Sequence, residues 1–260
     1  MQYFIFIKST IIINNVNEIF KKNEFDKPNF DKRIVFICDH ASHRIPKEFA
    51  NLGLGKKYLK THISWDIGVK KLCINLAKRL KQSYFMSNFS RLIIDPNRNK
   101  NSKELIVENS FDVEIPANKN ICLVDKNNRI KNIYDVYHSN LEQFVKKKIS
   151  QSKKLLLISI HSFTKSGKGF DRGIEIGLLW NNNINLQQKL YKKLLENQIH
   201  TGNNYPYSGF FYNYTLDRVS NNGKIDNLCV EIRNDLICDS KGIKKKTNLL
   251  CKIFGEILNE

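Results

Sequence analysis

Acidic side chains are scarce here. The 260 residues carry 25 Asp and Glu against 43 Lys and Arg, a formal net charge of +18 and a pI near 9.6. Such an excess raises nucleic acid or an anionic surface as partners. Yet the basic patches interleaved with aromatics that would serve nucleic acid are missing, as is any nucleic-acid motif. The lysines run in pairs and triplets scattered along the chain, as at Lys21–Lys22, Lys146 to Lys148 and Lys244 to Lys246. The charge reads as solvated surface, and nucleic acid is not expected as a partner. Paired cysteines are absent too. Cys38, Cys73, Cys122, Cys229, Cys238 and Cys251 lie far apart with no CxxC, which excludes a disulfide framework and points to a reducing cytoplasm. No apolar run is long enough to span a membrane. The opening MQYFIFIKSTIII is broken by Lys8, Ser9 and Thr10 and lacks a basic n-region and a small-residue cleavage site. It reads either as an added strand in a peripheral extension over residues 1–30 or as a stretch upstream of the true start. With no internal repeat and no linker, residues 31–260 read as a single domain with a proper core.

What is present begins with Ile34 to Pro46, IVFICDHASHRIP. The short β-branched and aromatic run suits a strand buried on both faces, ending at Asp39 and His40. In open α/β sheets that edge is where ligands bind. A lone histidine there is more often a quiet packing residue. A second run with the same grammar, LLLISIHS at Leu155 to Ser162, ends in His161. Two buried strands delivering imidazoles to one edge make a metal site the better reading.

Along the chain, Pro46 to Leu54 reads as a short helix. His62 to Leu80 reads as a helix with Asp66 near its start, where a carboxylate suits the dipole. Ser83 to Ile94 supplies strand material that closes on Asn97 and Arg98. Residues 99–120 form an irregular loop, long enough to be a lid. A long helical pattern over Val124 to Ser150 carries His138, read as structural. Ser162 to Gly173 is a loop carrying Arg172, and Ile174 to Trp180 is a strand. A helix over Leu186 to Gln198 follows, then an aromatic loop at 202–213, a strand at Leu228 to Ile232 and a helix from Ile243 to Leu258. Strands alternate with helices throughout, so the fold is α/β with a mixed or mainly parallel sheet flanked by helices.

Zinc needs neutral imidazoles and a carboxylate, with a position left open for water if it is to do chemistry. His40 and His161 supply nitrogen; a third ligand must come from Asp66, Asp39 or His43. Glu231 is an acid inside an apolar strand, LCVEI, a placement that is costly unless paired or functional. Its plain alternative is a buried ion pair with a neighbouring arginine. Beside a metal-activated water it would be a general base. Arg91, Arg98, Arg172 and Arg233 are guanidinium forks suited to a carboxylate-bearing substrate, although any single one is more often a surface ion pair.

Seven ordered blocks, CDHASHRIP, HISWDIGV, SRLIIDPNR, ISIHSFT, IGLLW, GNNYPYSG and VEIRNDLI, resemble the N-formylglutamate amidohydrolase family over residues 33 to 258. More distantly they are similar to the zinc carboxypeptidases. The resemblance implies a single hydrolase-like domain with the phosphorylase/hydrolase, zinc carboxypeptidase-like arrangement. It implies one Zn²⁺ held by His40, His161 and a third ligand, for which Asp66 is favoured with His43 in reserve. It also implies Glu231 as base, Arg91 polarising the scissile carbonyl, and Asn97 and Arg98 holding a substrate carboxylate. Arg172, Arg233 and Tyr207 complete the expected substrate contacts. The implied substrate is a small N-formyl or N-acyl amino acid such as N-formylglutamate. A carboxypeptidase-like or other N-acyl amino acid deacylase is the nearest alternative; a non-catalytic basic binding protein is one of another class. Val219, Asn203, Tyr205 and Lys165 depart from the family pattern, which leads one to expect a histidine, two acids and a proline.

Overall fold

The computed structural model describes residues 18–24, 31–167 and 169–260. The apolar opening MQYFIFIKSTIII, expected as an added strand, lies outside the described residues. The part of the expected extension that is described ends in a strand, β1 (Phe20–Asn23). Six more strands join it in one sheet: β2 (Lys32–Cys38), β3 (Ser83–Ser87), β4 (Lys154–Phe163), β5 (Ile176–Leu179), β6 (Thr201–Asn203) and β7 (Asp226–Arg233). Their spatial order is β1-β3-β2-β4-β7-β5-β6. β3, β2, β4 and β7 are mutually parallel, and so are β5 and β6; β1 on β3 and β5 on β7 are the antiparallel pairs. This is the expected α/β fold with a mixed, mostly parallel sheet.

The central strands are apolar on both faces because both are covered. Ile34, Phe36, Ile158, Ile160, Val230 and Ile232 face a layer built from α1 (Val69–Leu80), α4 (Ile184–Glu196) and α5 (Ser240–Asn259). Val35, Ile37, Leu157 and Cys229 face the other layer, where α3 (Asp135–Ser150) packs Tyr137, Leu141 and Phe144. The alternation has a consequence for the site. His161 and Glu231 fall on the parity of Leu157 and Cys229, so both side chains point to the α3 side, and they are direct register partners across β4 and β7. No described helix is long and apolar enough to cross a membrane.

Three sequence expectations are corrected. The helix expected from His62 begins at Val69, leaving Asp66 in a loop outside any helix. The break is at Gly68, whose φ is +84° and where a Cβ would fall 2.1 Å from the carbonyl oxygen of Ile237. Strand β3 stops at Ser87, so Asn97 and Arg98 sit in a turn well past its end. There, two tertiary hydrogen bonds replace a sheet ladder: Asp95 N–H donates to Leu105 O, and Ser90 N–H to Arg44 O, both at 2.8 Å. The short helix at Pro46 to Leu54 is a 3₁₀ segment (Lys47–Gly53) in which Ala50, Asn51 and Leu52 take positive φ. The long pattern at 124–150 is helical but carries a π turn (Ile130–Tyr134) between α2 (Leu123–Arg129) and α3.

His138 is fully buried on α3; its Nε2–H donates to Pro96 O at 2.9 Å and its Nδ1 has no partner. Burial, with Arg218 adding, pushes this imidazole down to about 4 from an ordinary 6.5. The folded state therefore resists a proton that the unfolded chain accepts. Its contribution is intact above pH 6.5 and is lost as pH falls to about 4, by at most about 3 kcal/mol. His138→Gln, which keeps a donor but cannot charge, is expected to flatten the fall of unfolding free energy across that window. Urea unfolding as a function of pH measures it; equal slopes for the two proteins would refute the assignment.

Candidate metal centre and active site

Two imidazoles meet where β2 and β4 end. The rings of His40 and His161 stand 4.9 Å apart, inclined at 78°. Asp66 reaches between them. Its Oδ2 accepts from His161 Nδ1 at 2.9 Å and from the Ser162 N–H at 3.2 Å, with His40 Nδ1 at 3.4 Å. One ligand atom from each of the three residues lies within 4.8 Å of the others, and all three are buried. The loop that carries Asp66 is stitched down on several sides. Asp66 N–H donates to His40 O at 3.0 Å, Ser162 Oγ to Ile67 O at 3.1 Å, and Ser90 Oγ to Ser64 O at 2.8 Å. Arg91 adds its Nε to Ile63 O at 3.1 Å, one terminal nitrogen to Asp66 Oδ1 at 3.2 Å, and the other to His62 O.

Behind each imidazole stands a carboxylate. His40 Nε2–H donates to Asp95 Oδ1 at 2.8 Å. His161 Nε2 lies 3.3 Å from Asp39 Oδ2, near enough for attraction but off the angle of a hydrogen bond. Asp39 is itself held by the Tyr137 hydroxyl, which donates to Oδ1 at 2.8 Å. A carboxylate behind the ring is the arrangement that orients metal-ligating histidines. Burial alone would drive the charged forms out. For His161 it is outweighed by Asp39 and Asp66, which hold the imidazole well above its ordinary value, and for His40 by Asp95 and Asp66, which raise it. Burial likewise opposes ionisation of Asp66, yet His40 and Arg91 keep it well below the usual carboxylate range.

Among the described residues four buried polar atoms here have no hydrogen-bond partner: His161 Nε2 and Asp39 Oδ2, which face each other behind the ring, and His40 Nδ1 and Glu231 Oε2, whose residues line a common cavity. Such atoms are costly unless something else meets them. Two imidazoles and a carboxylate fit a divalent cation with positions left open. Glu231 stands opposite His161 on β7. Burial pushes its carboxyl up to about 7, with His161 opposing and Asp66 adding. All four groups, His40, Asp66, His161 and Glu231, open on one cavity of about 310 Å³.

The other expected residues divide. Arg91, Arg98, Asn97 and Tyr207 line that cavity. The Asn97 amide is engaged at both ends: Nδ2 donates to Tyr212 O at 2.9 Å and Oδ1 accepts from Thr215 N–H at 3.0 Å. Arg98 donates from Nε to Glu104 at 2.8 Å and lies 5.0 Å over the Tyr212 ring. Arg172 stacks 5.0 Å over Tyr207 and donates to Thr164 O at 3.1 Å. Arg233 is paired with Asp235 at 2.8 Å and is not among the residues that line the cavity. His43 packs on Trp65, ring to ring 4.9 Å, outside the His40–Asp66–His161 group. The departures at Asn203 and Tyr205 are also off the cavity, and Val219 is buried in the core. Sequence reasoning passed over Asp95, Tyr137, Glu104 and Phe111. Asp95 stood inside the quoted SRLIIDPNR and Tyr137 on a helical apolar face, where it reads as core.

The family model for N-formylglutamate amidohydrolase matches residues 32–238. The chain is similar to the crystal structure of a gene product of Agrobacterium tumefaciens: 25% identity, 94% of this chain and 96% of that one, TM-score 0.86. It is also similar in fold to the N-formylglutamate amidohydrolase of Ralstonia eutropha JMP134, at 17% identity over 93% of this chain and 97% of that one, TM-score 0.72. No curated protein matches the sequence.

A divalent cation at the triad would stabilise the folded state by mass action. At about a thousandfold excess over its Kd the gain is about 4 kcal/mol, or roughly 10 °C in Tm for a chain of this size. ZnCl₂ is expected to produce a shift of that order in the native chain and none in His161→Ala. Equal shifts in both, by scanning calorimetry, would place the cation elsewhere.

Proposed function

The chain belongs to the N-formylglutamate amidohydrolase family, and from that premise we propose that it is a zinc-dependent hydrolase that cleaves the amide of an N-formyl or N-acyl amino acid. The observation that carries the reading is Glu231. It is an acid inside an apolar strand, with an unpartnered buried oxygen, set across the register from His161 on the same cavity as the His40–Asp66–His161 group.

His40, Asp66 and His161 would hold the zinc. When bound, it would supply Lewis acidity, easing deprotonation of a water and polarising the scissile carbonyl. Glu231 takes the proton of the attacking water on its free carboxylate oxygen. It returns that proton to the leaving amine, so one carboxyl serves as base and then as acid. Burial raises its carboxyl to about 7, and a divalent cation nearby would draw it down toward the ionised form that a base requires. Arg91 positions Asp66. Three of its five N–H groups hold Asp66 and the loop carbonyls, which leaves two for the carbonyl oxygen. Asp95, which accepts from His40 Nε2–H, keeps that imidazole in the tautomer that presents Nδ1 to the cation, while Asp39, held by Tyr137, stands behind His161 as a charge at 3.3 Å. The substrate carboxylate falls to Arg172, which is not itself among the lining residues but stacks on Tyr207 and has no carboxylate partner among the described residues, while Arg98 is already paired with Glu104. Asn97 ties the 212–215 segment to the cavity wall, and Arg233 is assigned no substrate contact.

The catalytic unit in this reading is residues 31–260. Six unpaired thiols, three of them buried, suit a reducing compartment such as the cytoplasm.

Glu231→Gln is expected to keep its zinc, read by elemental analysis, and to lose at least about a hundredfold in kcat on N-formyl and N-acetyl amino acids. Turnover at the native rate would remove Glu231 from the chemistry. Asp95→Asn is expected to weaken zinc affinity by about 10–100-fold while leaving Glu231 in place. A native Kd in that variant would show that the carboxylate behind His40 does not matter to the metal.

A further inference from the structure

The lining of the cavity bears on what it admits. Four carboxylates line the space, from Asp66, Asp95, Glu104 and Glu231, against two guanidiniums, from Arg91 and Arg98. Both guanidiniums already face an acid: Arg91 faces Asp66 at 3.2 Å and Arg98 faces Glu104 at 2.8 Å. With the imidazoles neutral as ligands, a divalent cation only brings these signs level. Arg172, which stacks on the lining residue Tyr207 and faces no acid among the described residues, adds one positive charge, enough for a substrate with one carboxylate and not two. The placement of Glu104 is fixed by the fold, since Asp95 N–H donates to the carbonyl of its buried neighbour Leu105 at 2.8 Å.

The lining also has apolar members. Ile63, Leu92 and Val107 line the cavity together with Phe111, which is 56% exposed at the tip of the hairpin formed by Asn109–Ser110 and Val113–Glu114. Phe111 has φ +48°, a left-handed conformation in which a bulky side chain is strained. The turn thus holds a large exposed ring at the cavity, 5.9 Å from His62, at a conformational cost that asparagine or glycine would avoid.

We propose that the site selects N-acyl amino acids with one carboxylate and an uncharged apolar side chain, and that Glu104 sets the preference by matching Arg98 and repelling a second carboxylate. The proposal rests on the hydrolase reading above and names its substrate class. The single carboxylate pairs with Arg172 beside Tyr207, and the apolar side chain lies against the Phe111 wall.

The test compares kcat/KM for N-formyl-L-leucine and N-formyl-L-glutamate with the zinc-loaded enzyme. The native protein is expected to favour the leucine substrate at least tenfold. Glu104→Gln, a change at a half-exposed side chain that the fold tolerates, is expected to cut that ratio at least fivefold through a gain on the glutamate substrate. A native preference for the glutamate substrate, or a ratio unchanged in Glu104→Gln, overturns the proposal. Calorimetric binding of the same two acids to zinc-loaded Glu231→Gln separates the two layers of the argument. If the native enzyme hydrolyses neither acid, the hydrolase reading fails. Tighter binding of the leucine acid still supports the selectivity, and tighter binding of the glutamate acid refutes it.

Discussion

Everything at the centre of this molecule depends on one buried carboxylate. Asp66 Oδ2 is approached by His161 Nδ1, His40 Nδ1 and a backbone N–H, while Arg91 holds Oδ1. An ionised acid taken out of water is tolerable only when its lone pairs are met. Each group that meets Asp66 is therefore also held in place by it. That mutual dependence fixes where strand β4 stops being core and becomes site. It also fixes how the 62–68 loop returns to the sheet, and why Arg91 turns toward that loop.

The topology concentrates these demands on one edge and one face. Parallel strands β2, β4 and β7 all end on the same side, as α/β sheets do where ligands bind. The period of two then decides which residues share a face. His161 and Glu231 inherit the parity of Leu157 and Cys229, so the base and one imidazole emerge together toward α3. Tyr137 belongs to that helix, and its hydroxyl reaches Asp39 at 2.8 Å. A one-residue slip of β7 against β4 would send Glu231 into the opposite layer, among Val230 and Ile232. The hydrophobic alternation that holds the sheet together is also what aims the chemistry.

This explains what could be read from the sequence and what could not. The strands at 34–38, 155–162 and 228–232 were legible to within two residues, because both faces are buried and the runs are mostly apolar. The histidines that end two of them, and the acid interrupting the third, stood out against that background. Asp66 was legible as a candidate but its setting was not. Periodicity ran on through Gly68, while the close approach to Ile237 that stops the helix is a tertiary fact. The turn at 95–98 was read as the end of a strand for a similar reason. What shapes it is Asp95 on Leu105 and Asn97 on Tyr212 and Thr215, partners 10 to about 120 residues away. Arginines were the least legible group. A guanidinium has the same fork wherever it stands, and only the neighbouring acid shows whether Arg98, Arg172 or Arg233 is free to meet a ligand.

The stability of such a centre follows from the same accounting of charges. Removing one partner from a buried charge pair costs about 3–5 kcal/mol, against a total stability of about 5–15 kcal/mol for a domain. A cluster holding Asp39, Asp66, Asp95, His40 and His161 in one buried region thus places much of the fold's margin at risk in each member. The arrangement limits the exposure by drawing several donors from the backbone, Ser162 N–H to Asp66 and Asn97 N–H to Asp95 among them, which survive any side-chain change. It leaves unmet the atoms that a cation or a reacting proton would engage, His40 Nδ1 and Glu231 Oε2. Rigidity is thus invested in the outer carboxylates and the loop, and reactivity is left at the two places where the structure provides no partner of its own.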